Sequence, residues 1–390
     1  MRISVDRKVL LAVSAVAIGV TLTGGLLGSV VAVEGTYDYL KVFNEVLYLA
    51  VNNYVEPVQI DSLMHGAYRG LLESLDPANE YLSQESYQLA SKGTEAGPAD
   101  VGLNLSKRRG YVVVVSTLPG GPAAAAGMKT GDILLTINGH PSRIMGAWEA
   151  AQALRGKQGT KVSLNYNPAD GGDRKTVTLD RRVLAVPTPS GSFLAPDVGV
   201  VRVAGIHDGD AKRLDQSIAS LKSQGMKRLL IDLRGCASDS LAEPIGMASL
   251  FIDQGVVVTV NDRSAGDKAY RADGRRLAWD GPLALLVDEG TSRGCELLTA
   301  ALRDGAGASI LGQRTWGTGT VKALLPLRNG DGVFLAVGTM LSPAGKDWNG
   351  KGLDPDLIIV GALGEEGDPQ RQKAVDYVRG LSAPASRKAA

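Results

Sequence analysis

Cysteine, histidine and aromatic residues are scarce in this 390-residue chain, and its charges cancel. Two cysteines, Cys236 and Cys295, exclude a cysteine-rich zinc module and a disulfide-dense miniprotein. The three histidines, His65, His140 and His207, lack metal-ligand spacing and read as surface or turn residues. No metal or cofactor is implied. Aromatic content of 5% argues against a stacking platform for single-stranded nucleic acid. With 42 Lys+Arg against 41 Asp+Glu, the net charge of +1 gives no electrostatic case for nucleic acid at all. What is present is apolar: 44% hydrophobic residues suffice for real cores and exclude wholesale disorder. At about 150 residues per domain, the length suggests two to three domains.

One long apolar run stands apart. Val9 to Val33 carries no charge and follows Arg2, Arg7 and Lys8. About 20 apolar residues span a bilayer, and flanking basic residues predict a cytoplasmic N-terminus. The expectation is a single-pass anchor in the cytoplasmic (inner) membrane, with the soluble part extracytoplasmic (periplasmic). The alternative is a signal segment cleaved near Val30-Val31-Ala32, releasing a secreted protein. In either compartment cysteines can pair.

The remaining chain changes character in steps. Tyr37 to Tyr87 has helical periodicity through Val42, Val46, Leu49 and again Leu63, Ala67, Leu71. Asp61 reads as an N-cap, Asp76-Pro77 as a stop, and Ser91 to Asp100 as a linker. From Val101 to Arg182 the pattern is strand-rich, with helices expected at Ala123–Ala126 and Met145–Leu154. From Val198 onward, apolar strands at Val198–Val203, Arg228–Leu233, Val256–Val260, Leu283–Val287 and Ser309–Leu311 alternate with helices. That alternation predicts a mostly parallel α/β sheet with its site at the strands' carboxyl ends. The expected segments are 1–33 anchor or signal, 34–95 helical, 96–182 strand-rich module, 183–362 α/β core and 363–390 flexible tail, with one helix conceivable around Gln370–Arg379.

Five ordered stretches resemble the carboxy-terminal processing (tail-specific) serine peptidases. They are Leu72–Pro77 with Tyr81-Leu82, Gly121–Ala124 with Ala126–Asp132, Leu154–Gly156 with Gly159–Val162, Ile231–Arg234, and Lys351–Asp356. The resemblance implies a ClpP/crotonase-like peptidase core, a PDZ domain and an N-terminal helical segment. It also implies Ser–Lys chemistry. A serine nucleophile gives its proton to a desolvated lysine, a glutamine four residues later positions that lysine, and backbone N–H groups hold the oxyanion.

This chain departs from the pattern at each of those positions. In Thr291–Glu296 the nucleophile position is Arg293. In Trp316–Thr320 the lysine position is Thr318, and the glutamine position is Lys322. The oxyanion loop reads Gly235-Cys236-Ala237-Ser238-Asp239, with Ser238 and Asp239 where the family has glycines. A guanidinium is no nucleophile, a threonine is no base near pH 7, and a carboxylate opposes an oxyanion. The implied function is that of a pseudopeptidase: a binder or scaffold for protein C-termini or for an active peptidase relative. Assembly through the helical segment fits as well. The alternative is an active endopeptidase with a rebuilt site: Cys295 attacks with Lys322 as base, or Ser292 serves, although one residue off the nucleophile position at a helix start its side chain is swung about 100° away.

The resemblance assigns further residues. A PDZ domain adds a peptide strand to a sheet edge and captures its carboxylate. The carboxylate loop would be Asp100-Val101-Gly102-Leu103, with Leu103, Asn104 and Leu105 as the pairing strand. Ala147, Ala150, Ala151 and Leu154 would form the opposite wall. Because the two catalytic loops of an active member face one substrate, Cys236 and Cys295 could bond across the site. Asp239 and Glu296 are candidate partners for Arg293.

Overall fold

The computed structural model describes residues 34–185, 187–274, 276–361 and 368–381. Val9–Val33 lies outside them. No described helix is long and apolar enough to cross a membrane.

The chain divides into two compact units at Ala67/Tyr68, inside the second helix rather than near residue 95. The first unit holds Glu34–Asn53 and the start of Ile60–Glu73. Asp61 is not the N-cap expected from sequence. It sits in the first turn, where a carboxylate still complements the helix dipole. Tyr39, Val42, Val46 and Tyr48 of the first helix are exposed.

The second unit contains three sheets that matter for the site. The strand-rich module is an antiparallel sheet in the order Leu103–Arg108, Tyr111–Thr117, Ile133–Ile137, Lys161–Asn167, Lys175–Asp180. Its edge strand, Leu103–Arg108, packs beside the helix Ala147–Leu154 over a core of Val101, Leu105, Leu134, Leu164 and Leu154. The second sheet is the α/β core. Its order is Leu357–Ile358, Ser309–Gly312, Leu283–Val287, Arg228–Asp232, Val198–Arg202, Ser190–Ala195, parallel except for the last. Leu283–Val287 is buried throughout, as a central parallel strand covered on both faces must be.

Val256–Asp262 does not join that sheet. It belongs to the third, an antiparallel sheet with Glu80–Leu82, Gly332–Leu341 and Gly266–Arg271, while Thr320–Pro326 pairs with Gly332–Leu341. The expected membership fails because an apolar strand does not declare its partners. Here a tight connection folds Val256–Asp262 back on Gly266–Arg271 as a hairpin.

The expected flexible tail needs the larger correction. Pro369–Gly380 is a helix whose Ala374, Val375 and Val378 are buried beneath the parallel sheet, against Val200, Leu230 and Leu286. Its entry is clamped by charge. Arg234, fully buried, bonds Asp232 (2.8 Å), Asp368 (2.7 Å) and Gln370 (2.8 Å). Arg371 reaches Asp232 from the helix at 3.0 Å. Burial alone would raise the Asp232 carboxyl, but the hydrogen bonds of Arg234 and the charges of Arg202, Arg234 and Arg371 overcome it and bring it to about 2.

Candidate functional site

Two loops leave the carboxyl ends of adjacent parallel strands, Arg228–Asp232 and Leu283–Val287, and meet. Ala237 and Ser238 pair in parallel with Ser292 and Arg293. Ser292 N–H donates to the Cys236 carbonyl at 2.8 Å, and Thr291 Oγ1 donates to the Leu233 carbonyl at 2.9 Å. Half-buried Asp288 accepts from the N–H groups of Gly235 (2.7 Å) and Gly290 (3.0 Å), and desolvation pushes its carboxyl up. A disulfide joins Cys236 to Cys295 with their Cα atoms 5.9 Å apart, both side chains fully buried.

The turn from this short strand into the helix Gly294–Ala306 falls on Arg293, at φ 55° and ψ −122°. That backbone is rare for a non-glycine residue and costs on the order of 1–3 kcal/mol. It has the form of a nucleophile elbow, in which a strained strand-to-helix turn throws one side chain outward. Arg293 is that side chain. Its Nη1 lies 3.0 Å from Asp239, and its Nη2 donates to the Leu105 carbonyl at 2.8 Å. Glu296 does not meet the guanidinium; it accepts from the Arg293 backbone N–H at 3.0 Å.

Ser292 points inward. It is 1% exposed, and its Oγ has no hydrogen-bond partner among the described residues. Cys295 is consumed by the disulfide. Neither side chain of the rebuilt-site alternative is presented to a substrate.

Glu296 is the organising residue that sequence reasoning underrated. Besides Arg293, it accepts from Thr315 Oγ1 (2.5 Å), Gly317 N–H (2.7 Å) and Thr318 N–H (2.7 Å). One carboxylate thus fastens the Trp316–Thr320 loop to the elbow. Burial pushes it up despite these four donors. Thr318 contributes its backbone to this clamp, and its carbonyl accepts from Trp348 Nε1 at 3.3 Å. Lys322 lies on the strand Thr320–Pro326 with its Nζ 5.4 Å from the centre of the Phe334 ring. Ser238 Oγ donates to the Ile206 carbonyl at 2.9 Å, while the Asp239 side chain is 78% exposed at the mouth.

A cavity of about 950 Å³ lies between core and module. Arg293, Asp239, Trp316, Thr318 and Lys322 line it from the core, and Lys107, Arg108 and Trp148 from the module. Buried Glu80 anchors the module's helix from the third sheet, accepting the Trp148 N–H at 2.9 Å, and burial pushes its carboxyl up against the opposing charge of Lys322. Glu80 was invisible as a site residue in sequence, being one acid in a three-residue strand.

The PDZ-type assignments separate. Asn104 stays partly open on the edge strand, and Ala147 and Ala151 on the helix. Val101, Gly102, Leu103, Leu105, Ala150 and Leu154 are buried, and all but glycine join the module's core. Gly102 takes φ 80°, a left-handed backbone, and the N–H groups of Val101 and Gly102 both donate to Asp100 Oδ1, at 3.0 Å for Gly102, so the chain's own carboxylate holds the donors of this loop.

Comparison with known proteins agrees with this geometry. A model of Peptidase family S41 matches residues 197–359, and a PDZ domain model matches residues 113–166. The chain is 29% identical over 346 residues to the carboxy-terminal processing protease CtpA of Bacillus subtilis, covering 88% of this chain and 74% of that one. It is 31% identical over 328 residues to the carboxyl-terminal-processing protease of a Picosynechococcus species, covering 80% and 79%. Among solved structures, a photosystem II D1 C-terminal processing protease superposes with a TM-score of 0.69 at 28% identity, covering 78% of this chain and 84% of that one. The chain belongs to the carboxyl-terminal-processing proteases of peptidase family S41 and carries a PDZ domain.

Proposed function

We propose that this family member is catalytically silent and binds protein C-termini through its PDZ domain, as a scaffold or as the companion of an active relative. The observation that carries the reading is the elbow. The side chain presented there is a guanidinium already bound to Asp239 and Leu105, with no lysine at position 318 to take a proton. The relatives are named as processing proteases, which supports recognition of protein C-termini. The open edge of Leu103–Arg108 beside Ala147–Leu154 supports strand addition as the mode.

The test is a cleavage assay on a substrate with an unstructured tail. Wild type is compared with an Arg293→Ser, Thr318→Lys, Lys322→Gln variant. No turnover by wild type is expected, and turnover well above background would overturn silence. A peptide with a free C-terminus should bind, and its amidated form should not; equal affinities would refute carboxylate capture.

The reading also places the soluble part outside the cytoplasm, held by the Val9–Val33 segment. The disulfide supports an oxidising compartment. Recovery of the full chain in a carbonate-washed membrane fraction would support the anchor, and a soluble product shortened at its N-terminus would replace it with a cleaved signal.

A further inference from the structure

The inference rests on the tail-binding reading. Leu103–Arg108 is the edge of its sheet, paired on one side only, to Tyr111–Thr117. A peptide adding to such an edge needs its backbone acceptors. One of them is taken: the carbonyl of Leu105 accepts from Arg293, 188 residues away in the chain. The ladder is irregular between Asn104 and Leu105, and bulges of this kind redirect backbone groups. A second clasp lies beside the first. Arg108, at the end of the same strand, donates to the Trp316 carbonyl at 3.2 Å and stands 4.0 Å over the Trp316 ring. Both clasps join the PDZ strand to the loops that bound the cavity.

We propose that Arg293 is an intramolecular competitor for the PDZ ligand: with the edge empty it closes the cavity onto Leu105, and a captured C-terminal strand displaces it. Peptide capture and cavity closure are then alternative states of one contact. Arginine suits the role. Its planar fork satisfies Asp239 with one nitrogen and the strand carbonyl with another, so losing the strand leaves the charge paired. The elbow holds the side chain outward, and the bond is partly open to water, so a ligand can replace it.

The test is anisotropy of a fluorescent peptide with an apolar last residue and a free carboxylate, titrated with the intact protein. Arg293→Ala is expected to bind about 3- to 10-fold tighter than wild type, since it removes one partly exposed charge-assisted hydrogen bond from the competing state. Arg293→Lys should fall between, because an ammonium cannot hold both partners in a fork. In wild type, saturating peptide should slow amide hydrogen exchange across Leu103–Arg108 and speed it across Trp316–Thr320. Equal or weaker binding by Arg293→Ala with an unchanged melting temperature would overturn the competition while leaving tail binding intact. Absence of binding by wild type and both variants would instead overturn tail binding and the competition with it.

Discussion

Arg234 and Arg293 stand in the two loops that leave neighbouring strands of the parallel sheet and lead opposite lives. Arg234 is fully buried among Asp232, Asp368 and Gln370. Arg293 keeps 24% of its side chain in solvent, tied to one exposed carboxylate and one carbonyl. The first arrangement is part of the fold, because removing a partner strands a buried charge. The second is exchangeable, because water can replace what is lost. The residue at the family's nucleophile position thus stands at the mouth, while the charged floor beneath it holds the loops in place.

The comparison can be broken at several points. The largest effect should follow Arg234→Ala. Asp232 then remains buried against fewer cations and the helix Pro369–Gly380 loses its clamp, so stability should fall by about 3–5 kcal/mol in urea unfolding. Replacing both Cys236 and Cys295 by alanine comes next, at about 4 kcal/mol in the loop-entropy model for residues 59 apart. A loss under about 1 kcal/mol would mean the non-covalent contacts between the two loops already suffice.

Acid should separate two groups of carboxylates. Asp232 is depressed to about 2, so its contribution is present above the usual carboxylate range near 4 and is lost as pH falls toward 2. Glu80, Asp288 and Glu296 are raised by burial, so the folded state holds their protons more tightly than the unfolded chain does. Their share of stability therefore rises as pH falls through their raised folded values toward the ordinary carboxylate range near 4. Urea midpoints should climb mildly below neutrality and then collapse below about pH 4. Glu296→Gln should weaken the climb and cost about 1–3 kcal/mol, since an amide turns a donor toward backbone N–H groups. The smallest effect belongs to Arg293→Gly. Relief of the positive φ and loss of the Asp239 pair nearly cancel, leaving a change within about 1 kcal/mol.

How much of this was legible beforehand differs by region. The parallel strands Val198–Arg202, Arg228–Asp232 and Leu283–Val287 could be read because each is a largely apolar run with a helix after it. Val256–Asp262 has the same texture yet pairs elsewhere, and partner choice is not written in a strand's own residues. In the tail, the helix expected around Gln370–Arg379 is there as Pro369–Gly380, but its docking is not legible, because it buries only a narrow face through Ala374, Val375 and Val378 while polar residues dominate its composition. At the site, motif register placed Arg293 where the elbow turns. It could not reveal that the guanidinium reaches Leu105, since that contact depends on how the PDZ domain packs on the core. Sequence offers Glu296 as a partner for Arg293, but its grip on Trp316–Thr320 arises only once three loops converge.

The Cys236–Cys295 bond closes a covalent ring of chain through the middle of the core. Inside that ring lie the helix Ala242–Ala248, the Val256–Arg271 hairpin and the central strand Leu283–Val287. A protease that nicks the exposed hairpin turn near Ala265 severs the backbone without releasing either fragment. The nicked molecule would migrate as one species until reduced, and the central strand would stay tethered to both neighbouring loops. In a compartment shared with active peptidases, such a ring turns a cut at this turn into a scar rather than a loss.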